Sequence, residues 1–258
     1  MVECKAASWN WTSLPLHGLK NHAPTIDQGQ LKALIFDVDG TLYRQGPVRR
    51  TMLGRLLREH VGNPMQGLLT LRVLRAYRKA QEVLRTPSSA YSDLAEEQLR
   101  LACKWTGVRL EVVRVYVDRW MEREPLEPVA RSLCEGVREC LQVAVKREMR
   151  LGVFSDYPPA AKLTAMGVEH FFDVLVSAQD PEVQKFKPSP RGLEVALQRL
   201  GVERRQALYI GDRPEVDAAA ARDAGVACVI IGRLNVVHRH GWIELAGYKE
   251  LKDVICRQ

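Results

Sequence analysis

The chain alternates short apolar runs with helical stretches, and that alternation restricts it to one kind of architecture. Strand candidates fall at residues 31–37, 150–155, 172–177, 206–211 and 226–231. Helical patterns lie between them, near 129–148, 158–167, 189–200 and 214–224. Strands separated by helices predict an α/β fold of three layers, a parallel sheet with helices on both faces. In such open sheets ligands bind beyond the carboxyl ends of the strands.

Polar residues stand where those ends should be. The run LIFDVDGT, residues 34–41, stops in two aspartates and a glycine, GVFSD (152–156) in a serine, and YIGDRPEVD (209–217) in acid. A fourth segment, KFKPSP (185–190), carries a lysine locked before a proline. Asp37 and Asp39 are two residues apart, so strand alternation predicts that both point to one side. Carboxylates that close repel, and one would protonate unless a cation neutralised them. Oxygen ligands suit Mg²⁺, and Asp212 and Asp217 add further acid. Ser155 offers a hydroxyl and Lys187 a fixed positive charge; together they suit a phosphoryl group. Gly40 and Gly211 would let backbone approach an anion. Singly, an Asp-x-Asp is usually a solvated turn and a Lys-Pro a surface dipeptide. The four segments in this order carry the reading.

In that order they resemble the haloacid dehalogenase superfamily of aspartate-nucleophile phosphohydrolases, over about residues 32–232. The resemblance implies a Rossmann-like core and a Mg²⁺ cofactor. It casts Asp37 as the nucleophile that forms an aspartyl-phosphate, and Asp39 as general acid and then base. Ser155 and Lys187, with Gly40 and Thr41, would hold the phosphoryl group. The metal would be held by Asp37, the Asp39 carbonyl and Asp212, with Asp217 supporting. Lys187 is preferred over Lys185 because Pro188 restricts the residue before it. Asp217 is preferred over Glu215, and Asp156 either touches the site or starts the next loop. Asp39 also favours phosphoester over halide chemistry, because an alkoxide needs an acid to leave. The implied substrate is a small phosphorylated metabolite, phosphoglycolate-like by analogy. A phosphomutase and a non-catalytic phosphate-binding protein are the alternatives.

Residues 44–127 interrupt the alternation. They carry helical patterns at 66–85, 92–105 and 109–122, with Ser92 as N-cap and Gly107 as stop. Pro47 on one side and Pro125 and Pro128 on the other bracket this insert, whose position resembles the superfamily's small helical cap. The expected layout is therefore an N-terminal arm (1–30), a core (31–43 and 128–258) and a helical cap (44–127). The insert holds 16 Lys and Arg against 10 Asp and Glu, while the rest of the chain holds 22 against 21. In 71–85, Arg72, Arg75, Arg78, Lys79 and Arg85 fall on one helical arc, opposite Val73, Leu74, Tyr77, Ala80, Val83 and Leu84. That arc reads first as a solvated face, second as a field steering an anionic substrate, and third as contact with an anionic membrane surface. No motif supports nucleic-acid binding.

The six cysteines, at 4, 103, 134, 140, 228 and 256, include no CxxC pair, which argues against zinc and for a reducing compartment. No apolar run approaches the ~20 residues of a membrane span. Residues 1–30 carry Trp9 and Trp11 but no secretory core, and read as an arm packed on the domain or as an organelle transit segment. The expected location is cytoplasmic.

Overall fold

A strand apolar at every position must be covered on both faces. Strand β1 (Ala33–Phe36) meets that condition, with all four residues fully buried. The computed structural model describes residues 31–86, 91–232, 238–239 and 241–256. The expected arm with Trp9 and Trp11 lies outside them. β1 pairs in parallel with β2 (Arg150–Ser155) on one side and β4 (Ala207–Gly211) on the other. β3 (Val174–Ser177) lies beyond β2, and β5 (Ala227–Ile231) beyond β4. Two strands not anticipated from sequence complete the order β3-β2-β1-β4-β5-β7-β6. β7 (Trp242–Leu245) runs parallel to β5, and β6 (His238–Arg239) antiparallel to β7.

Strand parity divides the interior into two cores. Leu34, Phe36, Leu151, Val153, Leu208, Ile210, Val229 and Ile231 face one helical layer. Its helices are α6 (Val137–Lys146), α7 (Ala160–Met166) and α10 (Tyr248–Cys256). Ala33, Ile35, Phe154, Tyr209, Cys228 and Ile230 face the other layer, α8 (Arg191–Leu200) and α9 (Ala219–Ala224). The expected α/β three-layer architecture is what forms. The single helix expected over 129–148 is two, α5 (Leu126–Ala130) and α6, parted by a turn that reaches φ 82° at Gly136.

Beyond Arg44 the described residues before β2 are mostly helical. α1 (Gln45–Glu59), not foreseen, is followed by α2 (Pro64–Leu84), α3 (Leu94–Thr106) and α4 (Leu110–Val117), which continues into a π-helical turn, Asp118–Arg123. Pro47 lies inside the first turn of α1 rather than ahead of it. A third core joins Val73, Ala76, Tyr77, Leu99, Ala102, Val113 and Val117. α3 is capped by Asp93, which accepts from the Glu96 amide at 2.9 Å; Ser92 is one residue too early for that bond. Gly107 ends the helix at φ 71°, as expected. On α2, Val83 is exposed and Arg85, just past the last turn, is drawn inward, so the two-arc reading fails at that end. Among the described residues no helix is long and apolar enough to cross a membrane.

Helix α8 lies so close to β2 that a Cβ on Gly192 would come within 1.9 Å of Phe154 Cε2. Gly192→Ala should therefore cost about 1–3 kcal/mol through overpacking. The measurement is the shift in denaturant midpoint, and an unchanged midpoint would contradict this packing.

Candidate active site

The carboxyl ends of β1 and β4 are neighbours, and the acidic residues that follow them meet there. Asp37 leaves β1 with its amide still bonded to the Ile210 carbonyl at 2.8 Å. The residue is 4% exposed, and its carboxylate accepts from Lys187 Nζ at 2.5 Å and Thr41 Oγ1 at 2.9 Å. Lys187 also donates to Asp217 Oδ1 at 2.7 Å, and its ammonium lies 3.1 Å from the Tyr209 hydroxyl. Lys185 is exposed, whereas Lys187 is buried within this cluster. Glu215 likewise faces solvent, paired to Arg213, while Asp217 is buried.

Asp217 is saturated. Oδ1 takes Lys187 and the Tyr209 hydroxyl (3.0 Å), and Oδ2 takes the amides of Asp212 (3.2 Å) and Arg213 (3.0 Å). A carboxylate has about four lone-pair sites, so Asp217 is occupied in shaping the loop and holding the lysine. Asp212 differs, because its Oδ1 is buried with no hydrogen-bond partner. Oxygens of Asp37, Asp212 and Asp217 lie within 4.8 Å of one another. Three carboxylates against one ammonium leave a deficit of positive charge that a hard divalent cation would fill. The orphaned oxygen gives such a cation a place to bind. The donor set thus fits Mg²⁺.

Asp39 stands apart from that cluster. Its carboxylate accepts from Lys162 Nζ on α7 at 2.6 and 2.7 Å and from the Tyr43 hydroxyl. Its carbonyl accepts from Gln45 Nε2 at 2.5 Å. The two aspartates share a strand end, but different lysines hold them. Ser155 is buried at the tip of β2, where its Oγ accepts from the Tyr157 amide at 3.4 Å. Gly40 and Asp156 line the cleft. The cleft encloses about 1430 Å³ between the strand ends and the helical insert, with Arg75, Arg78 and Lys79 on its far wall. Arg72 is exposed elsewhere on α2.

Electrostatics follow from this geometry. Burial, reinforced by Asp217, Asp212 and Asp39 and opposed by Lys187, pushes the Asp37 carboxyl up to about 8. Burial and the Asp217 charge push Asp212 up to about 6. For Asp39 burial acts upward, but Lys162 and Tyr43 outweigh it and hold the group below the usual carboxylate range. Asp217 is held low against its burial, chiefly by Lys187.

The sequence profile of the haloacid dehalogenase-like hydrolases matches residues 31–225. A phosphoglycolate phosphatase from Rhodospirillum rubrum is 31% identical over 217 residues, spanning 78% of this chain and 79% of that protein. A glyceraldehyde 3-phosphate phosphatase from Methanopyrus kandleri is 28% identical over 211 residues, 79% of this chain and 84% of that one. The fold resembles the crystal structure of a 2-haloacid dehalogenase from Pseudomonas syringae pv. tomato DC3000, with TM-score 0.62 at 20% identity over 88% of this chain and 99% of that one.

Raised carboxyls make stability depend on pH with a definite sign. A group whose folded pKa exceeds its unfolded value stabilises below the unfolded pKa and loses that contribution as pH rises through the folded one. For Asp37, at about 8, and Asp212, at about 6, the loss runs from roughly pH 4 to pH 8. In chelator, the melting temperature should fall between pH 5 and pH 8. Saturating Mg²⁺ should raise it more at pH 8 than at pH 5. A Mg²⁺ shift that is larger at pH 5 would contradict the charge assignment.

Proposed function

Because this chain belongs to the haloacid dehalogenase-like hydrolase family, we propose that it is a Mg²⁺-dependent phosphatase of small organic phosphomonoesters, acting through an aspartyl-phosphate on Asp37. One observation carries the reading: a buried aspartate at the end of β1 faces a buried lysine at 2.5 Å, with an unpartnered Asp212 oxygen in the same cluster. The named relatives act on phosphoglycolate and glyceraldehyde 3-phosphate, which supports a small phosphorylated metabolite as substrate.

Asp37 attacks phosphorus with one carboxylate oxygen while Thr41 orients the other. The Lys187 ammonium neutralises charge on the phosphoryl oxygens, which removes much of the repulsion between a carboxylate and a phosphate dianion. A Mg²⁺ held by Asp37 and Asp212, with Asp217 behind them, would supply the remaining positive charge. Asp39 handles the proton. Lys162 and Tyr43 hold it as the carboxylate, the form that accepts a proton from water when the acyl-phosphate is hydrolysed. An arriving phosphate adds negative charge nearby and favours protonation of Asp39. Protonated, it can give the leaving alcohol its hydrogen. Residues 44–127 form the cap, which closes the cleft and excludes water.

Phosphate release from a panel of phosphomonoesters, with Mg²⁺ and with chelator, tests the reading. Activity should require the metal, and Asp37→Asn should abolish turnover in a folded protein because an amide is no nucleophile. Full turnover in either case would overturn the assignment.

Asp39→Asn should slow alkyl phosphates by about 10²–10⁴-fold, while activated aryl phosphates, whose leaving groups need little protonation, should lose far less. Equal losses on both would remove Asp39 from proton transfer.

A further inference from the structure

The backbone of Lys187 is gripped at both of its polar groups, and one grip comes from the helical insert. Its N–H donates to Asp156 Oδ1 at 3.1 Å. Its carbonyl accepts from Arg85 Nη1. Arg85 Nη2 donates to Asp156 Oδ2 at 2.7 Å, which closes a ring of three residues. Gln81, one turn back along α2, donates to the same Asp156 oxygen at 2.9 Å. Arg85 and Asp156 have side chains only 9% and 11% exposed, so the pair is little screened by solvent. A guanidinium has a rigid fork of donors that can bond a carboxylate and a carbonyl together; an ammonium is a single point. Beside the ring, Leu84 and Leu94 belong to the same core as α8 and α9. α2 therefore ends inside the core rather than on its surface.

We propose that Arg85 and Asp156 are positioning residues that fix the peptide of Lys187 and thereby aim its ammonium at Asp37, so that seating α2 and aiming the lysine are one event. This rests on the role given to Lys187 above. An ion pair that only fastened the insert to the core would have no need to hold both the N–H and the C=O of a residue in the site. The ring also accounts for an acid at position 156: only a group with two acceptor oxygens can serve the Lys187 amide and the Arg85 fork together.

The test uses the full chain carrying Arg85→Ala, Arg85→Lys, Asp156→Asn, or Arg85→Ala with Asp156→Asn. Arg72→Ala, which removes one exposed charge from the same helix, is the control. Two readouts are taken: steady-state kinetics on a small aryl phosphate with Mg²⁺, and hydrogen exchange of the Lys187 amide. In Arg85→Ala and Asp156→Asn, kcat should fall about 10–100-fold, as expected for a misplaced catalytic group, with KM within about threefold. The double variant should be little worse than the poorer single one, because both act through the same ring. Arg85→Lys should restore only a minor part. Exchange at Lys187 should quicken in each ring variant and stay unchanged in Arg72→Ala. Wild-type kcat, a change confined to KM, multiplicative losses or unaltered exchange in a folded variant would each overturn the proposal. If Arg85→Ala does not fold, Arg85→Lys and the isosteric Asp156→Asn decide it. A wild-type protein that released no phosphate would defeat the phosphatase reading, and exchange at Lys187 would still decide the ring.

Discussion

An ammonium group buried to 3% exposure is tolerable only among carboxylates, and Lys187 is in that position between Asp37 and Asp217. Desolvating each such ion costs several kcal/mol. The lysine and the acids are thus each other's condition for being there. Much of the local backbone follows from this. The ends of β1 and β4 must be adjacent, and the segment after β4 must turn back so that Asp217 returns beneath its own strand end. Neither turn has room for a side chain. A Cβ on Gly40, at φ 103°, would come within 2.3 Å of Asp212 Oδ2, and one on Gly211 within 2.5 Å of the Asp217 side chain. The charge cluster therefore accounts for both glycines as well as the adjacency of β1 and β4.

The sheet core was legible because its strands are continuous apolar runs that stop in polar residues. The five anticipated strands appear within two residues of their expected starts. α1 was not legible. It contains Gly46, Pro47 and Gly54, leaves Leu53 and Leu57 exposed, and buries only Val48 and Leu56, so it shows no clean apolar stripe. β7 and α10 follow the last polar motif, where nothing in the strand–helix alternation marked a further strand.

The site divides along the same line. Asp37, Lys187, Asp212 and Asp217 declare themselves by sitting after apolar runs or in a restricted dipeptide. Their partners do not. Lys162 meets Asp39 across 123 residues of sequence and looks like any helical lysine. Tyr209 left one trace, a hydroxyl in a strand otherwise made of Ala, Leu, Ile and Gly. Arg85 was assigned to a solvated arc because a helical wheel treats every turn alike, whereas the carboxyl end of α2 dips beneath the core. Ser155 sits at the tip of β2, where its Oγ accepts from the Tyr157 amide and keeps its own O–H to donate.

That dip bears on how the insert could be exchanged between relatives. Leu84 and Leu94 fill space in the core shared with α8 and α9, the Leu94 amide is received by Gln184 at 2.5 Å, and Arg85 is received by Asp156. The boundary at this end is an interlocked joint rather than a seam. A chimera that replaced the helices without these contacts would remove two core side chains and leave Asp156 with its Lys187 amide bond but without the Gln81 and Arg85 donors. An exchange of the insert would have to carry those contacts across as a single inherited block.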